Sequence, residues 1–168
     1  ENEMEGKHRI GHFDGVGTVL NLFFRIVKPN KAYLGEKDFQ QLQIVKKLVE
    51  IENLPIKIIG CPIIREKTGL AMSSRNKRLN IEQLSEAILI YKTLLKVKEN
   101  FKLLSISKLN QLVEKEFKNH NYLTLEYFEI ADTETLKTAI YKSKKKKYRA
   151  FIASFIGGVR LIDNMALN

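Results

Sequence analysis

The chain has 168 residues, enough for one full domain or two small ones. Its hydrophobic content of 44% and charged content of 29% exclude general disorder, and its longest apolar stretches, such as 19–24, are too short to cross a membrane. The net charge of +10 favours anionic partners, while the single cysteine, Cys61, excludes an internal disulfide and predicts a reducing compartment, the cytoplasm.

The first part of the chain alternates helical and strand patterns. These patterns predict a helix, a strand, a helix and a strand over residues 14–28, 32–34, 36–52 and 56–61. Asp14 is placed to cap the first helix and Pro29 ends it, while residues 1–9 are predicted to form a loop. Short connections between such elements predict a parallel sheet with crossover helices, whose ligands bind beyond the carboxyl ends of the strands.

The pattern changes after Asn80. Two helices and then three strands are predicted over residues 81–101, 103–117, 124–130, 148–155 and 159–163. Gly157 and Gly158 form the turn between the last two strands, so this part reads as a small α+β unit with an antiparallel sheet. We therefore expect two domains, residues 1–76 and residues 77–168.

Two loops carry residues suited to phosphate. Gly35 ends a strand, where its backbone can approach an anion, and Lys37 and Asp38 follow with a mobile cation and a ligand for Mg²⁺ or a ribose hydroxyl. The segment Met72–Arg75 offers two hydroxyls and an arginine close to Arg65 and Lys67, which suits a polyphosphate clamp. Each loop taken alone also fits an ordinary helix start.

A histidine precedes the first predicted helix. His12 follows Gly11, and together with Arg9 it could meet a ligand carboxylate or phosphate, or it could serve only as a structural hydrogen-bonding residue. The sequence has no P-loop, dinucleotide-binding glycine pattern, zinc spacing or Gly-x-Ser-x-Gly elbow. The lysine run, residues 142–147, is more typical of a solvated turn than of a nucleic-acid surface, because no aromatic residues interleave it.

Four stretches in this order resemble the pantothenate synthetase (pantoate–β-alanine ligase) family. They are Gly11–Val16, Gly35–Leu42, Gly69–Asn76 and Arg160–Asn164. The resemblance spans nearly the whole chain and implies a partial Rossmann-like nucleotidyltransferase sheet followed by a small α+β lid. It also implies that pantoate and β-alanine are joined with ATP and Mg²⁺ through a pantoyl adenylate, and that the intact enzyme is a homodimer. From the composition and charge pattern we expect a cytoplasmic protein with no nucleic-acid or membrane partner.

The resemblance also implies roles for single residues. Those at the ATP site would be Gly35, Glu36, Lys37, Asp38, Ile64, Met72, Ser73, Ser74 and Arg75. Among them Lys37 would neutralise phosphate charge, Asp38 would lie near the metal, Ile64 would contact adenine through its backbone, and the segment Met72–Arg75 would close over the phosphates. Lys37, Ser73, Ser74 and Arg75 would be the catalytic members of this set.

On the substrate side, Gln41 would bind pantoate, and His12 and Arg9 would border the active site. The family's His-x-Gly-His motif and its amino-terminal pantoate-binding glutamine are absent, so we expect the front of the active site to be missing. The alternatives are another adenylyl-transferring nucleotidyltransferase, a basic nucleic-acid-binding module and a catalytically inactive interaction domain.

Overall fold

The structure is a computed structural model that describes residues 3–118, 120 and 122–168. Its elements in chain order are α1 (Met4–His8), α2 (His12–Val27), β1 (Lys31–Gly35), a 3₁₀ helix (Glu36–Asp38), α3 (Phe39–Ile51), β2 (Lys57–Cys61), a 3₁₀ helix (Ser74–Arg78), α4 (Ile81–Asn100), α5 (Ile106–Phe117), β3 (Leu123–Asp132), β4 (Tyr148–Ile156) and β5 (Val159–Ala166). Across these residues, every helix is too short or too polar to span a membrane.

The first compact unit, up to Ile63, is built on a parallel pair of strands. Strand β1 runs beside β2, with Gly35 opposite Cys61 at their carboxyl ends. Helix α3 makes the crossover between them, and α2 packs against it. Phe24 and Val45 meet in a small core beneath the strands, so the predicted parallel sheet with helices is confirmed.

Helix α2 starts earlier than its apolar pattern indicated. Gly11, with φ of +75°, precedes the first helical residue, and its carbonyl accepts the amide of Gly15. A left-handed backbone at this point favours glycine over any capping side chain. The predicted cap is therefore wrong, because Asp14 lies inside the first helical turn.

One face of α2 is apolar and exposed. We call it the α2 ridge, and its members are 52–80% exposed: Val19, Leu22, Phe23 and Ile26. Tyr33, on strand β1, is 65% exposed. Strands of a parallel sheet are usually covered on both faces, so these residues make the first unit more open than its fold class would suggest.

Residues 1–9 contain a short helix instead of the predicted loop. Helix α1 is held by Gln40, whose Oε1 accepts the amide of Glu5 at 3.0 Å and whose Nε2 donates to the carbonyl of Glu3 at 2.9 Å. A helix of one turn is not stable by local propensity, so this tertiary anchor is what fixes it. Residues 1 and 2 lie outside the described residues.

The second compact unit, from Ile64 onwards, packs two helices on an antiparallel sheet. The strand order is β3-β4-β5, with α4 and α5 against it and an apolar core that includes the fully buried Leu94 and Ile152. Asn80 and Gln83 form a reciprocal capping box at the start of α4, which typically stabilises a helix by about 1 kcal/mol. The predicted antiparallel sheet is confirmed.

The compact units divide at a different residue from the predicted domain boundary. Residues 64–76 pack with the second unit, where Leu70 and Leu79 enter the core and Asn76 donates to the carbonyl of Ala71 at 3.1 Å. The sequence carried no sign of this packing, because the partners of the segment lie far along the chain. The assignment of the two parts to nucleotide binding and to a lid stays a prediction.

Two lysines of the lysine run have structural partners. Lys142 Nζ donates to the carbonyls of Phe101 and Leu104 at the end of α4, where a cation also suits the helix dipole. Lys146 Nζ lies 3.1 Å from Asp132 Oδ2. The backbone N–H of Thr135, aided by Lys146 and opposed by burial, lowers the pKa of Asp132 to about 2.

Candidate active site

The carboxyl end of β1 leads directly into the predicted phosphate-binding turn. Gly35 closes the strand, and Glu36–Asp38 form a 3₁₀ helix before α3 begins. An added Cβ at Gly35 would meet no atom within 4 Å, so the backbone is open to an approaching ligand. Lys37 is half-buried and Asp38 is exposed. The turn thus presents a backbone edge, one cation and one carboxylate at the ligand-binding end of a parallel sheet.

Adjacent glutamines at the start of α3 have different surroundings. Gln40 is buried, and both the oxygen and the nitrogen of its side-chain amide form hydrogen bonds at α1, as described above. Gln41 is half-buried and lines an open groove. The side chain for which the resemblance implied pantoate binding is therefore the one that faces a cavity.

The groove has a volume of about 540 Å³ and unites residues predicted separately. It is lined by Gly11, His12, Gly15, Val16, Val19, Leu20 and Gln41. The α2 side is mainly aliphatic, and no atom comes within 4 Å of an added Cβ at Gly15. The groove thus combines an apolar wall with an imidazole and an amide.

Arg9 reaches the groove through His12. Its Nη1 lies 2.8 Å from His12 Nε2, and it also forms an ion pair with Glu5 at 3.8 Å. A guanidinium has only donors, so Nε2 is the acceptor in this contact. The structure places His12 and Gln41 in one groove and Arg9 against His12, while the roles of all three toward a substrate stay a prediction.

The second loop, in the other unit, carries the hydroxyls and the arginine. Ser73 caps the 3₁₀ helix Ser74–Arg78, and its Oγ accepts the amide of Arg75 at 3.2 Å. Ser74 and Arg75 are exposed, and Met72 is 49% exposed. The carbonyl of Ile64 accepts the amide of Met72 at 2.9 Å, which ties the two edges of the loop together. Four exposed or half-buried residues in sequence are therefore available to a ligand.

Arg65 is not available for the predicted phosphate clamp. Its guanidinium makes a bidentate pair with Asp163 of β5 and stacks on Tyr91 of α4. Sequence reasoning missed this pair, although one signal was present. Asp163 interrupts an apolar strand pattern after Leu161 and Ile162, and a charge at a buried strand position requires a partner.

Metal binding by this chain would depend on few protein ligands. Within residues 3–118, 120 and 122–168, no group of three or more His, Cys, Asp or Glu side chains is arranged to hold an ion. Asp38 is the carboxylate of the strand-end turn. Mg²⁺ commonly binds through one or two carboxylates together with substrate phosphates, so a single exposed Asp38 fits that mode.

The fold defines the class of protein to which the chain belongs. It is an α/β protein in which a parallel-sheet unit, with a strand that ends at a glycine and leads into a 3₁₀ helix, is followed along the chain by a small unit with an antiparallel sheet.

The sequence places the chain in a known protein family. The family model described as pantoate–β-alanine ligase matches residues 1–166, so the chain belongs to that family. It is 54% identical over 168 residues to the pantothenate synthetase of Christiangramia forsetii and 53% identical over 167 residues to that of Flavobacterium psychrophilum. These matches cover 100% and 99% of the chain, which spans 59% of the length of each relative.

Solved structures agree with the sequence relatives. The crystal structure of pantothenate synthetase from Thermus thermophilus matches with a TM-score of 0.90 and 34% identity, over 99% of this chain and 60% of that one. The pantoate–β-alanine ligase of Francisella tularensis, complexed with β-γ ATP and β-alanine, matches with a TM-score of 0.73 and 37% identity. That match covers 99% of this chain and 54% of the Francisella chain.

Proposed function

We propose that this chain carries part of the active site of a pantoate–β-alanine ligase. The carboxylate of pantoate attacks the α-phosphorus of ATP, the bond to pyrophosphate breaks, and pantoyl adenylate forms. The amine of β-alanine then attacks the acyl carbon and displaces AMP. The observation that carries the proposal is the groove in which His12 and Gln41, far apart in sequence, lie beside an aliphatic wall.

The first step moves negative charge onto the pyrophosphate leaving group. Lys37 supplies a cation at the strand end, and Ser73, Ser74 and Arg75 supply donors and a second cation. Fixed charges and donors stabilise developing charge without reorganising, which is the main source of catalysis when little proton transfer is needed. Within this scheme Gly35 and Glu36 line the nucleotide site, Ile64 contacts adenine through its backbone, and Met72 belongs to the segment that closes over the phosphates.

The groove would receive pantoate. Gln41 donates and accepts through its amide, while the methyl groups of the acid lie along Val16 and Val19. Arg9 adds positive charge near His12. Mg²⁺, when bound, neutralises and orients the triphosphate, and Asp38 is the protein ligand that we assign to it.

The wider setting follows the family. We propose a homodimeric, cytoplasmic enzyme that takes small-molecule substrates and no nucleic acid. Lys142 and Lys146 are engaged within the fold, which weakens the nucleic-acid-binding alternative to the extent that it rests on the lysine run. The lid role of residues 77–168 belongs to this proposal too.

The test is AMP formation with ATP, Mg²⁺, pantoate and β-alanine, with each component omitted in turn. Because the chain spans 59% of its relatives' length, the assay uses the chain alone and the chain joined to the part of the Christiangramia forsetii relative that it leaves uncovered. We expect AMP only when both pantoate and β-alanine are present. AMP formed without pantoate would indicate a different nucleotidyltransferase, and no AMP from either protein would contradict the proposal.

The groove is tested by Gln41→Ala, with Gln43→Ala as the matched control on the same helix. Gln43 is also half-buried but does not line the groove. Loss of a buried substrate hydrogen bond typically costs about 1–3 kcal/mol, so we expect the KM for pantoate to rise about tenfold in the first variant. The control should stay near wild type, and equal effects would exclude Gln41 as a pantoate ligand.

A further inference from the structure

Arg65 ties the start of the second loop to the last strand of its unit. Nη1 donates to Asp163 Oδ2 at 2.6 Å, and Nη2 donates to Asp163 Oδ1 at 3.0 Å. The Asp163 side chain is fully buried, and that of Arg65 is 19% exposed. A buried carboxylate requires such a partner, and a bidentate guanidinium fixes the direction of both groups as well as their separation.

The same guanidinium also holds the turn at Gly69 against α4. Nη1 also donates to the carbonyl of Gly69 at 3.0 Å, and the guanidinium lies 4.5 Å from the centre of the Tyr91 ring. Gly69 has φ of +93°, and a Cβ there would come within 2.0 Å of Tyr91 Cδ1. Arg65, Gly69 and Tyr91 therefore form one packed contact in which only glycine fits at the turn.

This contact is transmitted to the residues that face solvent. Arg65 pairs with Ala71 across the loop, and the amide of Glu66 donates to the carbonyl of Leu70 at 2.8 Å. Beyond the loop, Asn76 holds the carbonyls of Ala71 and Ser73 through its side chain and its backbone amide, each at 3.1 Å. The exposed Ser74 and Arg75 thus lie between two fixed points.

We propose that Arg65, held by Asp163 and Tyr91, is a positioning residue for the phosphate-facing segment Ser73–Arg75. It does not touch the nucleotide; it keeps the loop in one geometry, so that the hydroxyls and Arg75 need no rearrangement when ATP binds. This inference rests on the proposed function for the identity of the ligand. The anchoring itself is independent of that function, because it concerns contacts within one unit.

The first test compares Arg65→Lys with Arg160→Lys by hydrogen exchange of the chain. Lysine keeps the charge but loses the fork that joins Asp163 and Gly69. Arg160 is the matched control, because it pairs with Glu126 at 2.6 Å and has a similar exposure of 17%. We expect backbone amides of residues 66–75 to exchange about tenfold faster in Arg65→Lys and at the wild-type rate in the control, as local opening would produce.

The second test uses whichever protein forms AMP in the assay above. A positioning role predicts that Arg65→Lys lowers kcat/KM for ATP about tenfold and leaves the KM for pantoate unchanged, while Arg160→Lys alters neither. Equal exchange and equal ATP kinetics in the two variants would overturn the inference. If no protein forms AMP, the proposed function fails, and the exchange comparison alone decides whether Arg65 anchors the loop.

A variant at Tyr91 covers the case in which Arg65→Lys does not fold. Tyr91→Leu removes the ring beneath Gly69 and leaves the Arg65–Asp163 pair intact. We expect faster exchange at residues 66–75 than in wild type, with the rest of the unit unchanged. Wild-type exchange throughout this loop would count against the anchor.

Discussion

The two compact units bury their apolar side chains to different degrees. In the second unit, α4 and α5 cover a three-stranded sheet, and side chains such as Leu94 and Ile152 are fully buried. In the first unit, two parallel strands carry a small core, and Leu22, Ile26 and Tyr33 are more than half exposed. Both units contribute predicted ligand-binding residues, but only one of them closes its core.

Because of this difference, we expect the residues that stabilise the fold and the residues that bind ligands to be concentrated in different regions. The loop Met72–Arg75 is anchored by a buried ion pair in the well-packed unit. The groove with His12 and Gln41 lies along α2, the helix that carries the exposed ridge. Substitutions in the core of the second unit should therefore act mainly on folding, and those around the strand end and groove of the first unit mainly on ligand binding.

The largest expected effect is on the core of the second unit. Leu94→Ala should lower the free energy of unfolding by about 3–5 kcal/mol, because a fully buried leucine leaves a cavity. Ile26→Ser, on the α2 ridge, should change it by about 0.5 kcal/mol or less. Urea denaturation measures both values. Similar losses in the two variants would remove the contrast between the units.

At the strand end of the first unit the effect should be catalytic. Lys37→Ala should slow adenylate formation at least about a hundredfold, since it removes a preorganised charge. Lys46→Ala changes an exposed lysine of α3 and should leave the rate unchanged. Single-turnover formation of pyrophosphate, measured in the protein that is active in the assay, distinguishes them. Near-normal turnover of the first variant would exclude the assigned role.

A smaller effect concerns acid stability in the second unit. Asp132 has its pKa lowered from 3.8 to about 2, so its stabilising contribution is present above pH 3.8 and is lost as the pH falls toward 2. Asp132→Asn should lose about 1–2 kcal/mol at neutral pH, because a hydrogen-bonded charge is removed. Its stability should then depend less on pH between 3.8 and about 2 than that of wild type.

The control for this prediction is Glu134→Gln, two residues along the same turn. Glu134 is exposed. Thermal unfolding at closely spaced pH values should give parallel curves for this control and wild type, and a shallower curve for Asp132→Asn. Parallel curves for all three proteins would show that Asp132 does not drive the acid dependence.

Much of this fold could be predicted from local patterns. The apolar spacing that gave α2, α3, α4 and α5 reflects faces that pack against neighbouring elements, and the strands at 31–35 and 57–61 were apolar runs with clear stops. The strand-end turn was predictable as well, because Gly35 and Lys37 follow β1 directly. Four ordered motifs then indicated the family.

What could not be predicted depends on distant partners. Helix α1 exists because Gln40 holds it from 35 residues away, and nothing in its own sequence requires a helix. Arg65 looked like a phosphate ligand because its partner, Asp163, lies 98 residues further along. The local sequence shows only that two glutamines are adjacent. Tertiary packing determines that Gln40 is buried against α1 and that Gln41 lines the groove.

The α2 ridge also has a consequence for the behaviour of the chain in solution. Exposed apolar patches favour association between molecules, whereas a net charge of +10 keeps the molecules apart. Salt shortens the reach of that repulsion from about 10 Å at 0.1 M to about 3 Å at 1 M. The chain should therefore be most nearly monomeric at low salt concentration and should associate as salt is added. An assembly held by ion pairs would instead dissociate as salt is added.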